Sequence, residues 1–283
     1  MRGFLPLIMG RGARPKPPDD NPMSTPIEPD QPFVAIGDIH GRADLLLELD
    51  RLIKARCSGW PVVFLGDYVD RGEQSREVLE HLMSVSPEST PSVTCLMGNH
   101  ERMLLDFLDD PAGNGPRWLR NGGLQTLASF AVEMPRGDAN DPAVFEDLRD
   151  RLSDTMGDKM IAWLRALPLK WHSGNVWAVH AGADPDLPMT EQPDDVLLWG
   201  ISAFRHTPRT DGQWVVHGHT IVDAAQIQGG RIALDTGAYA TGRLSAAGIS
   251  ADGVDFIWTG ARKVRVRAVG FFQKSYAGIW VMS

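Results

Sequence analysis

The 283-residue sequence predicts an α/β fold in which a central β-sandwich of two sheets is flanked by helices. In the first half of the chain, a short apolar run, a polar glycine-containing loop and a helical pattern follow one another three times. This alternation is typical of a sheet with right-handed crossovers. In the second half, apolar runs of strand length return without long helices between them. Two packed sheets with helices outside accommodate both halves.

The three strand–helix units are placed by their hydrophobic patterns. The run Phe-Val-Ala-Ile at 33–36 is short and continuous, as in a buried strand, whereas apolar residues at 45, 46, 49, 52 and 53 have helical spacing. The next two units repeat this pattern. The predicted strands of this half are 33–36, 61–65 and 92–97, and the predicted helices are 43–55, 75–85 and a third that runs through 108.

The rest of the chain is divided by composition. A folded domain is predicted over 33–260, with a helical insertion at about 110–170. The Pro-rich segment 1–32 cannot build a core and is predicted to be a disordered extension. The basic, alternating tail 261–283 is interpreted as an edge strand, because edges are commonly guarded by Lys and Arg; a membrane-surface contact and an oligomer contact are the alternatives. Further strands are predicted at 176–179, 214–216, 231–234, 243–246 and 255–258.

The net charge, the lengths of the apolar runs and the number of cysteines restrict the classes of partner and the cellular location that we expect. A formal net charge of −8 argues against non-specific nucleic-acid binding, so no nucleic-acid partner is expected. No apolar run approaches the ~18 residues that span a bilayer. The two cysteines, Cys57 and Cys95, make no disulfide framework and are expected to be thiols in a reducing compartment, which predicts a cytoplasmic location. Nothing in the sequence indicates an oligomeric state.

Polar residues follow apolar strands at five places, and five of the eight histidines are among them. Asp and His side chains that converge at one sheet edge are costly to bury unless something binds them. Carboxylate, imidazole and amide ligands without thiolate suit a divalent cation such as Mn, Fe or Zn. The five segments are Gly-Asp-Ile-His-Gly at 37–41, Gly-Asp-Tyr-Val-Asp-Arg-Gly at 66–72, Gly-Asn-His-Glu at 98–101, His-Ala-Gly at 180–182 and His-Gly-His-Thr at 217–220.

The candidate ligands are more than one ion needs, so two divalent ions are predicted, with manganese favoured over iron or zinc. Two ions bring four positive charges, whereas Asp38 and Asp67 bring two negative ones. The excess positive charge attracts a phosphate and lowers the pKa of a coordinated water toward neutrality. No protein nucleophile is then required.

The five segments, in this order, resemble those of the phosphoprotein phosphatase branch of the calcineurin-like metallophosphoesterases, over about 33–247. The resemblance implies a β-sandwich flanked by helices, which agrees with the pattern above. It also implies that a hydroxide between the two ions attacks the phosphorus. The implied ligands are Asp38 and His40 for the first ion, Asp67 for both ions, and Asn99, His180 and His219 for the second ion.

The same resemblance implies the remaining roles. His100 is expected to be the general acid that protonates the leaving alcohol, with Asp70 orienting its imidazole. Arg71 is expected to bind the phosphate, since its planar donor fork suits phosphate oxygens, and Asn99 is a second phosphate-binding candidate. His217 lies two residues before His219 and is predicted to be structural rather than a ligand.

One position departs from the family's pattern. The family usually has a second phosphate-binding arginine shortly after a Trp between the last two metal histidines, often as Trp-x-Arg. Here the segment begins Trp199-Gly200-Ile201, so Ile occupies the arginine's place. Arg205 is the preferred substitute, and Arg243 is the alternative.

Three positions bear on the substrate. Dinucleoside tetraphosphate hydrolases of the superfamily typically have other residues where this chain has Asp70, Glu101 and Thr220. The favoured substrate is therefore phosphoserine or phosphothreonine in a protein, or a small phosphomonoester. A dinucleoside tetraphosphate hydrolase and a phosphodiesterase or nuclease on the same scaffold remain alternatives. An inactive binding module would lack a ligand, and none of the six is missing.

Overall fold

A computed structural model describes residues 25–86, 92–135 and 141–260, and these residues form two five-stranded sheets with helices outside. The predicted fold class is thereby confirmed. The strands are β1 (Phe33–Ile36), β2 (Val62–Phe64), β3 (Val93–Cys95), β4 (Lys170–Ser173), β5 (Val176–Val179), β6 (Trp214–His217), β7 (Gln226–Gln228), β8 (Arg231–Ala233), β9 (Ser245–Ser250) and β10 (Gly253–Trp258).

The first sheet has the strand order β10-β9-β1-β2-β3. β1, β2 and β3 are parallel, with Val34 opposite Val62 and Val62 opposite Val93. β9 pairs antiparallel with both β1 and β10, so the last two strands complete a sheet that the first three begin. The carboxyl ends of β1, β2 and β3 therefore lie along one edge.

The second sheet has the order β4-β5-β6-β8-β7. β5, β6 and β8 are parallel, while β4 and β7 run antiparallel at its two sides. The loops after the three parallel strands thus leave the sheet at one edge. A core of apolar side chains fills the space between the sheets, with Phe33, Leu65, Val216 and Leu234 among its buried members.

The helices cover the outer faces of the sandwich. α1 places Leu45, Leu46 and Leu49 in a large core against the first sheet, and that core extends to α2, α3 and α6. A smaller core lies where α7 and α8 meet the second sheet. The helices are α1 (Ala43–Arg56), α2 (Ser75–Val85), α3 (Asn99–Asp109), α4 (Pro111–Trp118), α5 (Leu124–Ser129), α6 (Pro142–Arg165), α7 (Asp194–Trp199), α8 (Ser202–His206) and α9 (Ala238–Thr241), with a π-helical turn at Leu119–Gly123 and a 3-10 turn at Met189–Glu191.

Residues 25–32, predicted to belong to a disordered extension, instead pack along the second sheet. The indole of Trp214 donates to the carbonyl of Thr25, and the Asn175 side chain pairs with the carbonyl of Pro26 and the N–H of Glu28. Ile27 packs against the core between the sheets. Among the described residues, the folded part therefore starts earlier than the sequence pattern indicated.

The remaining predictions about the chain's organisation concern the 110–170 region, the strands and the two termini. The region from 110 to 170 is largely helical, as expected, since it contains α4 to α6. β4 and β7 were not predicted. Residues 1–24 and the tail 261–283, with its expected edge strand, lie outside the described residues. Within the described ranges, no helix is long and apolar enough to cross a membrane.

Candidate functional site

The predicted ligands come together at the edge where the parallel strands of both sheets end. The loop after β1 carries Asp38 and His40, the loop after β2 carries Asp67, and the first turn of α3 carries Asn99. The second sheet contributes His180 after β5 and His219 after β6. Together these are the six predicted ligands: Asp38, His40, Asp67, Asn99, His180 and His219.

Asp67 occupies the centre of this cluster. One of its carboxylate oxygens lies 3.4 Å from His40 Nε2 and the other 3.3 Å from His180 Nε2, and the side chain is buried. Among the described residues, two groups of side chains are spaced to hold a metal ion, and Asp67 belongs to both. One group joins it to His40 and His100, and the other to His180 and His219.

Asn99 and Asp38 connect the two sheets. The Asn99 Oδ1 atom lies 2.8 Å from His180 Nε2 and 2.9 Å from His219 Nδ1. The backbone N–H of His219 donates to both Asp38 carboxylate oxygens, at 3.0 and 3.2 Å. A Cβ atom at Gly218 would lie 1.9 Å from Asp38 Oδ1, so this approach requires glycine.

Backbone carbonyls orient two of the histidines. His40 Nδ1 donates to the carbonyl of Val69 at 2.8 Å, and His180 Nδ1 donates to the carbonyl of Leu65 at 2.9 Å. A carbonyl can only accept, so in each neutral ring the Nε2 atom carries the lone pair. Such an N–H contact to a carbonyl is the usual support of a metal-binding histidine.

The protonation states of these side chains indicate whether the cluster can hold a cation. Burial, the largest cause, lowers the pKa of His40 to about 3 and also lowers the pKa of His180, so both rings are neutral. Their Nε2 lone pairs face Asp67, whose carboxylate oxygens are also acceptors. Burial and then the nearby carboxylates of Asp235 and Asp67 raise the pKa of Asp38. Acceptors that crowd together in this way, with only oxygen and nitrogen as donor atoms, fit divalent cations.

The backbone of the site is held in an uncommon conformation. His40, Asp67, Asp70, Arg71 and His219 all have positive φ, between 45° and 69°. Each such non-glycine residue costs on the order of 1–3 kcal/mol and persists only where the surrounding structure enforces it. The strain is therefore concentrated at residues that the sequence analysis assigned to the site.

Glu101 enforces the conformation of the Asp67 loop. Its buried carboxylate accepts from the N–H groups of Gly98, Asp67, Tyr68 and Val69, at 2.7 to 3.2 Å. This anion clamp, defined by Glu101 and those four N–H groups, joins the loops that follow β2 and β3. Burial, followed by the charge of Asp67, raises the pKa of Glu101 to about 7.

His100 and Asp70 form a buried pair. Asp70 Oδ2 lies 2.7 Å from His100 Nδ1, and Trp118 and Thr126 donate further hydrogen bonds to the same carboxylate. Burial alone lowers the pKa of His100, but Asp67 and Asp70 outweigh it, so the pKa is raised overall. His100 Nε2 is 3.9 Å from Asp67 Oδ2, so the free nitrogen faces the cluster.

Arg71 lies beside the cluster. Its Nη1 atom is 3.2 Å from His40 Nε2, and its guanidinium carbon lies 5.0 Å from the ring centre of Tyr239. The backbone N–H of Arg71 donates to the carbonyl of Gly122, where φ is 110° and a Cβ atom would collide with Arg71. The insertion therefore contacts the loop that presents this arginine.

Among the described residues, neither Arg205 nor Arg243, the two candidates for the second phosphate-binding arginine, is hydrogen-bonded to the proposed ligands. Arg205 is exposed on α8, and its guanidinium makes no hydrogen bond or ion pair with any described residue. Arg243 donates to the carbonyl of Asp223 at 2.8 Å. His217 is buried with its ring edge-on to Phe204, and it belongs to neither candidate metal group of the described residues.

Several residues at the site were missed by sequence reasoning. Asp235 is buried and accepts from the N–H of Gly237, and its charge, after burial, helps to raise the pKa of Asp38. It directly follows the apolar end of β8, so the signal that located the other loops was present here too. Trp118 and Thr126 lie in the helical insertion, and no local pattern ties them to Asp70. Tyr239, in α9, was also not recognised.

A two-sheet sandwich that gathers carboxylates, imidazoles and an amide at its strand ends has the architecture of a metal-dependent phosphoesterase. The sequence profile of the calcineurin-like phosphoesterases matches residues 31–223, and the chain belongs to this family. The predicted resemblance is therefore confirmed. The chain is a metal-dependent phosphoric ester hydrolase, and the family uses a dinuclear metal centre.

Two relatives of this chain are named as serine/threonine-protein phosphatases. Serine/threonine-protein phosphatase 2 of Salmonella typhimurium is 27% identical over 212 residues, which cover 74% of this chain and 89% of the relative. A candidate serine/threonine-protein phosphatase of Schizosaccharomyces pombe is 41% identical over 181 residues, or 62% of this chain. The match covers 46% of the S. pombe protein, so this chain spans about half of that relative's length.

Solved structures share the fold. The crystal structure of a protein assigned as a diadenosine tetraphosphatase has a TM-score of 0.56 and 20% identity, covering 83% of this chain and 98% of that one. The cold-active protein-tyrosine phosphatase of a Shewanella species has a TM-score of 0.53 and 20% identity, covering 85% and 84%. At this level of identity the likeness shows the fold alone.

Proposed function

We propose that this chain hydrolyses phosphomonoesters, with phosphoserine and phosphothreonine in proteins as the favoured substrates. The observation that carries the proposal is the buried His100–Asp70 pair, whose free imidazole nitrogen faces the cluster centred on Asp67. A proton donor beside a metal-binding cluster is what the departure of an alkoxide requires. The relatives named as serine/threonine-protein phosphatases support the same substrate class.

Six side chains would hold two divalent ions. Asp67 is central and would bind both, because its two carboxylate oxygens face different histidines. When bound, the ions supply Lewis-acid polarisation of the phosphoryl group and lower the pKa of water. Manganese remains the predicted metal. The proposed ligands are Asp38, His40 and Asp67 for one ion, and Asp67, Asn99, His180 and His219 for the other.

His100 would hold the proton that the leaving oxygen takes up. Asp70 fixes the ring through Nδ1, so the proton to be transferred resides on Nε2. Trp118 and Thr126 saturate the Asp70 carboxylate and hold it in place. The pair is therefore held in the orientation that presents this proton to the cluster.

Arg71 would bind and orient the phosphoryl group. Its guanidinium lies against the cluster, and among the described residues it has no carboxylate partner, so its donors remain available to an anion. Asn99 is proposed to contribute its amide to the same group. Arg205 remains a candidate second arginine, although its exposed side chain has no hydrogen bond or ion pair with the described residues of the site.

The contacts of two discriminating residues favour a monoesterase over a dinucleoside tetraphosphate hydrolase. Asp70 is hydrogen-bonded to His100, and Glu101 holds the Asp67 loop. Each of the two residues that distinguish this chain from such hydrolases therefore has a structural role at the site. A phosphodiesterase or nuclease is disfavoured by the net charge of −8. Both cysteines are free and buried, which supports the proposed cytoplasmic location.

The test is hydrolysis by the manganese-loaded protein of a phosphoserine/phosphothreonine peptide and of diadenosine tetraphosphate, measured side by side. We expect phosphate release from the peptide. Asp67→Asn should lower this activity by more than about 100-fold, the upper end expected when only a ligand's supporting partner is lost. The exposed Asp252→Asn is the matched control. Cleavage of the dinucleotide alone would overturn the proposed substrate, and an active Asp67→Asn protein would overturn the bridging role.

A further inference from the structure

The short helix α9 is fixed at both ends. Gly237 precedes it and Gly242 follows it, both in the left-handed conformation. The Thr241 hydroxyl donates to the carbonyl of Thr236, and the guanidinium of Arg42 donates to the carbonyl of Ala238 at 3.0 Å. The turn is therefore a rigid support rather than a loose connection between β8 and β9.

This support carries Tyr239 to the edge of the metal-binding cluster. The centre of the half-buried ring lies 5.0 Å from the guanidinium carbon of Arg71 and 5.4 Å from the centre of the His40 ring, and the two rings are nearly perpendicular at 84°. Tyr239 is thus in contact with one proposed phosphate-binding residue and one proposed ligand.

The face of an aromatic ring attracts a guanidinium without using its N–H groups as hydrogen-bond donors. Arg71 therefore keeps its donor edge available for phosphate oxygens. Among the described residues, the only hydrogen-bonding partner of this guanidinium is His40 Nε2. That atom is a proposed ligand atom, so metal binding removes it as a partner and leaves the ring of Tyr239 as the remaining contact.

We propose that Tyr239 is a positioning residue, which holds the Arg71 guanidinium against the metal centre in the orientation that binds a phosphoryl group. The proposal rests on the proposed function of Arg71. It assigns the role to the aromatic face, so the phenolic hydroxyl is not required.

The experiment measures binding of inorganic phosphate to the manganese-loaded protein by calorimetry, together with KM and kcat for p-nitrophenyl phosphate. Tyr239→Leu should raise the phosphate dissociation constant and KM about three- to tenfold, with a much smaller change in kcat, because a ring–guanidinium contact is lost. Tyr239→Phe should bind phosphate like the unmodified protein. Tyr239→Met, which also lacks a ring, is the second variant in case the leucine protein does not fold.

A double-mutant cycle supplies the decisive comparison. If Tyr239 acts through Arg71, then Tyr239→Leu should have no further effect on phosphate binding in an Arg71→Ala protein. Additive losses, a Tyr239→Phe protein as weak as Tyr239→Leu, or unchanged binding in the leucine and methionine variants would each overturn the proposal. If Arg71→Ala alone leaves phosphate binding unchanged, the proposed function loses its phosphate arginine, and the role of Tyr239 falls with it.

Discussion

The loops from the first sheet and the loops from the second sheet are held in the site by different means. In the first sheet, the Glu101 clamp fixes the Asp67 loop from within, through backbone N–H groups of neighbouring loops. In the second sheet, His180 is oriented by the carbonyl of Leu65, and the backbone of His219 donates to Asp38. Both of these partners belong to the first half of the chain.

The difference separates the proposed proton donor and phosphate-binding groups of the first half of the chain from the proposed metal ligands of the second half. The proposed proton donor His100 and its partner Asp70 lie in the first half of the chain, and so does Arg71, although Arg71 also contacts Tyr239 of the second half. The second sheet supplies the proposed ligands His180 and His219, which are ordered by contacts to the first half. Changes in the first half should therefore affect the chemical step, whereas changes at the far end of the second sheet should affect stability alone.

The largest effect is expected from removing the proton donor. His100→Asn or Asp70→Asn should lower kcat by about 10²–10⁴-fold, the usual contribution of a general acid. Manganese binding, measured by calorimetry, should change little, because neither residue is a proposed ligand. The kcat of the double variant should be no lower than that of the less active single variant, since the two residues act as one unit.

His81→Asn on α2 is the matched control, because no described site residue contacts its ring. Additive losses in the double variant would show that His100 and Asp70 act separately. A loss of manganese binding equal to the loss of kcat would place His100 among the ligands instead.

An intermediate effect is expected at the clamp. Glu101→Gln replaces an anion that accepts four N–H groups by an amide that presents its own donors to them. We expect a 10–100-fold loss of metal affinity or activity, about the range for a partner that supports ligands. Unfolding in urea should show a loss of about 1.5–3 kcal/mol or more, the range for one hydrogen bond to a charged group.

The exposed Glu77→Gln on α2 is its control. If Glu101→Gln lowers stability but leaves manganese affinity intact, the clamp supports the fold and not the geometry of Asp67. That outcome would also remove the contrast between the two halves.

The smallest effect on activity is expected at residues 25–32. Asn175→Ala removes side-chain hydrogen bonds to Glu28, Pro26 and Gly212, at the end of the second sheet opposite to His180. Stability should fall by about 1–2 kcal/mol, a typical cost for hydrogen bonds at a partly buried position. The kcat of the manganese-loaded protein should not change. Gln228→Ala on the exposed strand β7 is the control, and a fall in kcat specific to Asn175→Ala would mean that the two ends are coupled.

The sequence located most strands because their apolar runs are continuous and bounded by glycine or proline. β4 reads Lys-Trp-His-Ser and is partly exposed, and β7 reads Gln-Ile-Gln with all three residues exposed, so neither carries that signal. The same reasoning missed the packing of 25–32, because Pro-rich segments lack periodicity even where hydrogen bonds order them.

That the six predicted ligands would come together was predictable, because each lies in the loop or first helical turn after an apolar strand. The supporting residues were not. Trp118 and Thr126 are 48 and 56 positions from Asp70, and their contacts depend on how the insertion packs against α3. Tyr239 was missed because it lies in a short turn without a repeating pattern. Asp235 could have been found, since it follows the end of β8 after one further apolar residue, in the same way that Asp67 lies shortly after the end of β2.

The strand order of the first sheet has a consequence for how the chain matures. β1 lies between β2 and β9, so its second neighbour is made more than two hundred residues after it. During synthesis, the segment that carries Asp38 must wait with one side unpaired until Ser245–Ser250 has emerged. His180 and His219 also emerge after Asp38, His40, Asp67 and Asn99, so the six proposed ligands are complete only once residue 219 has been made. Synthesis therefore completes the proposed ligand set before it completes the first sheet, because His219 precedes β9 in the chain.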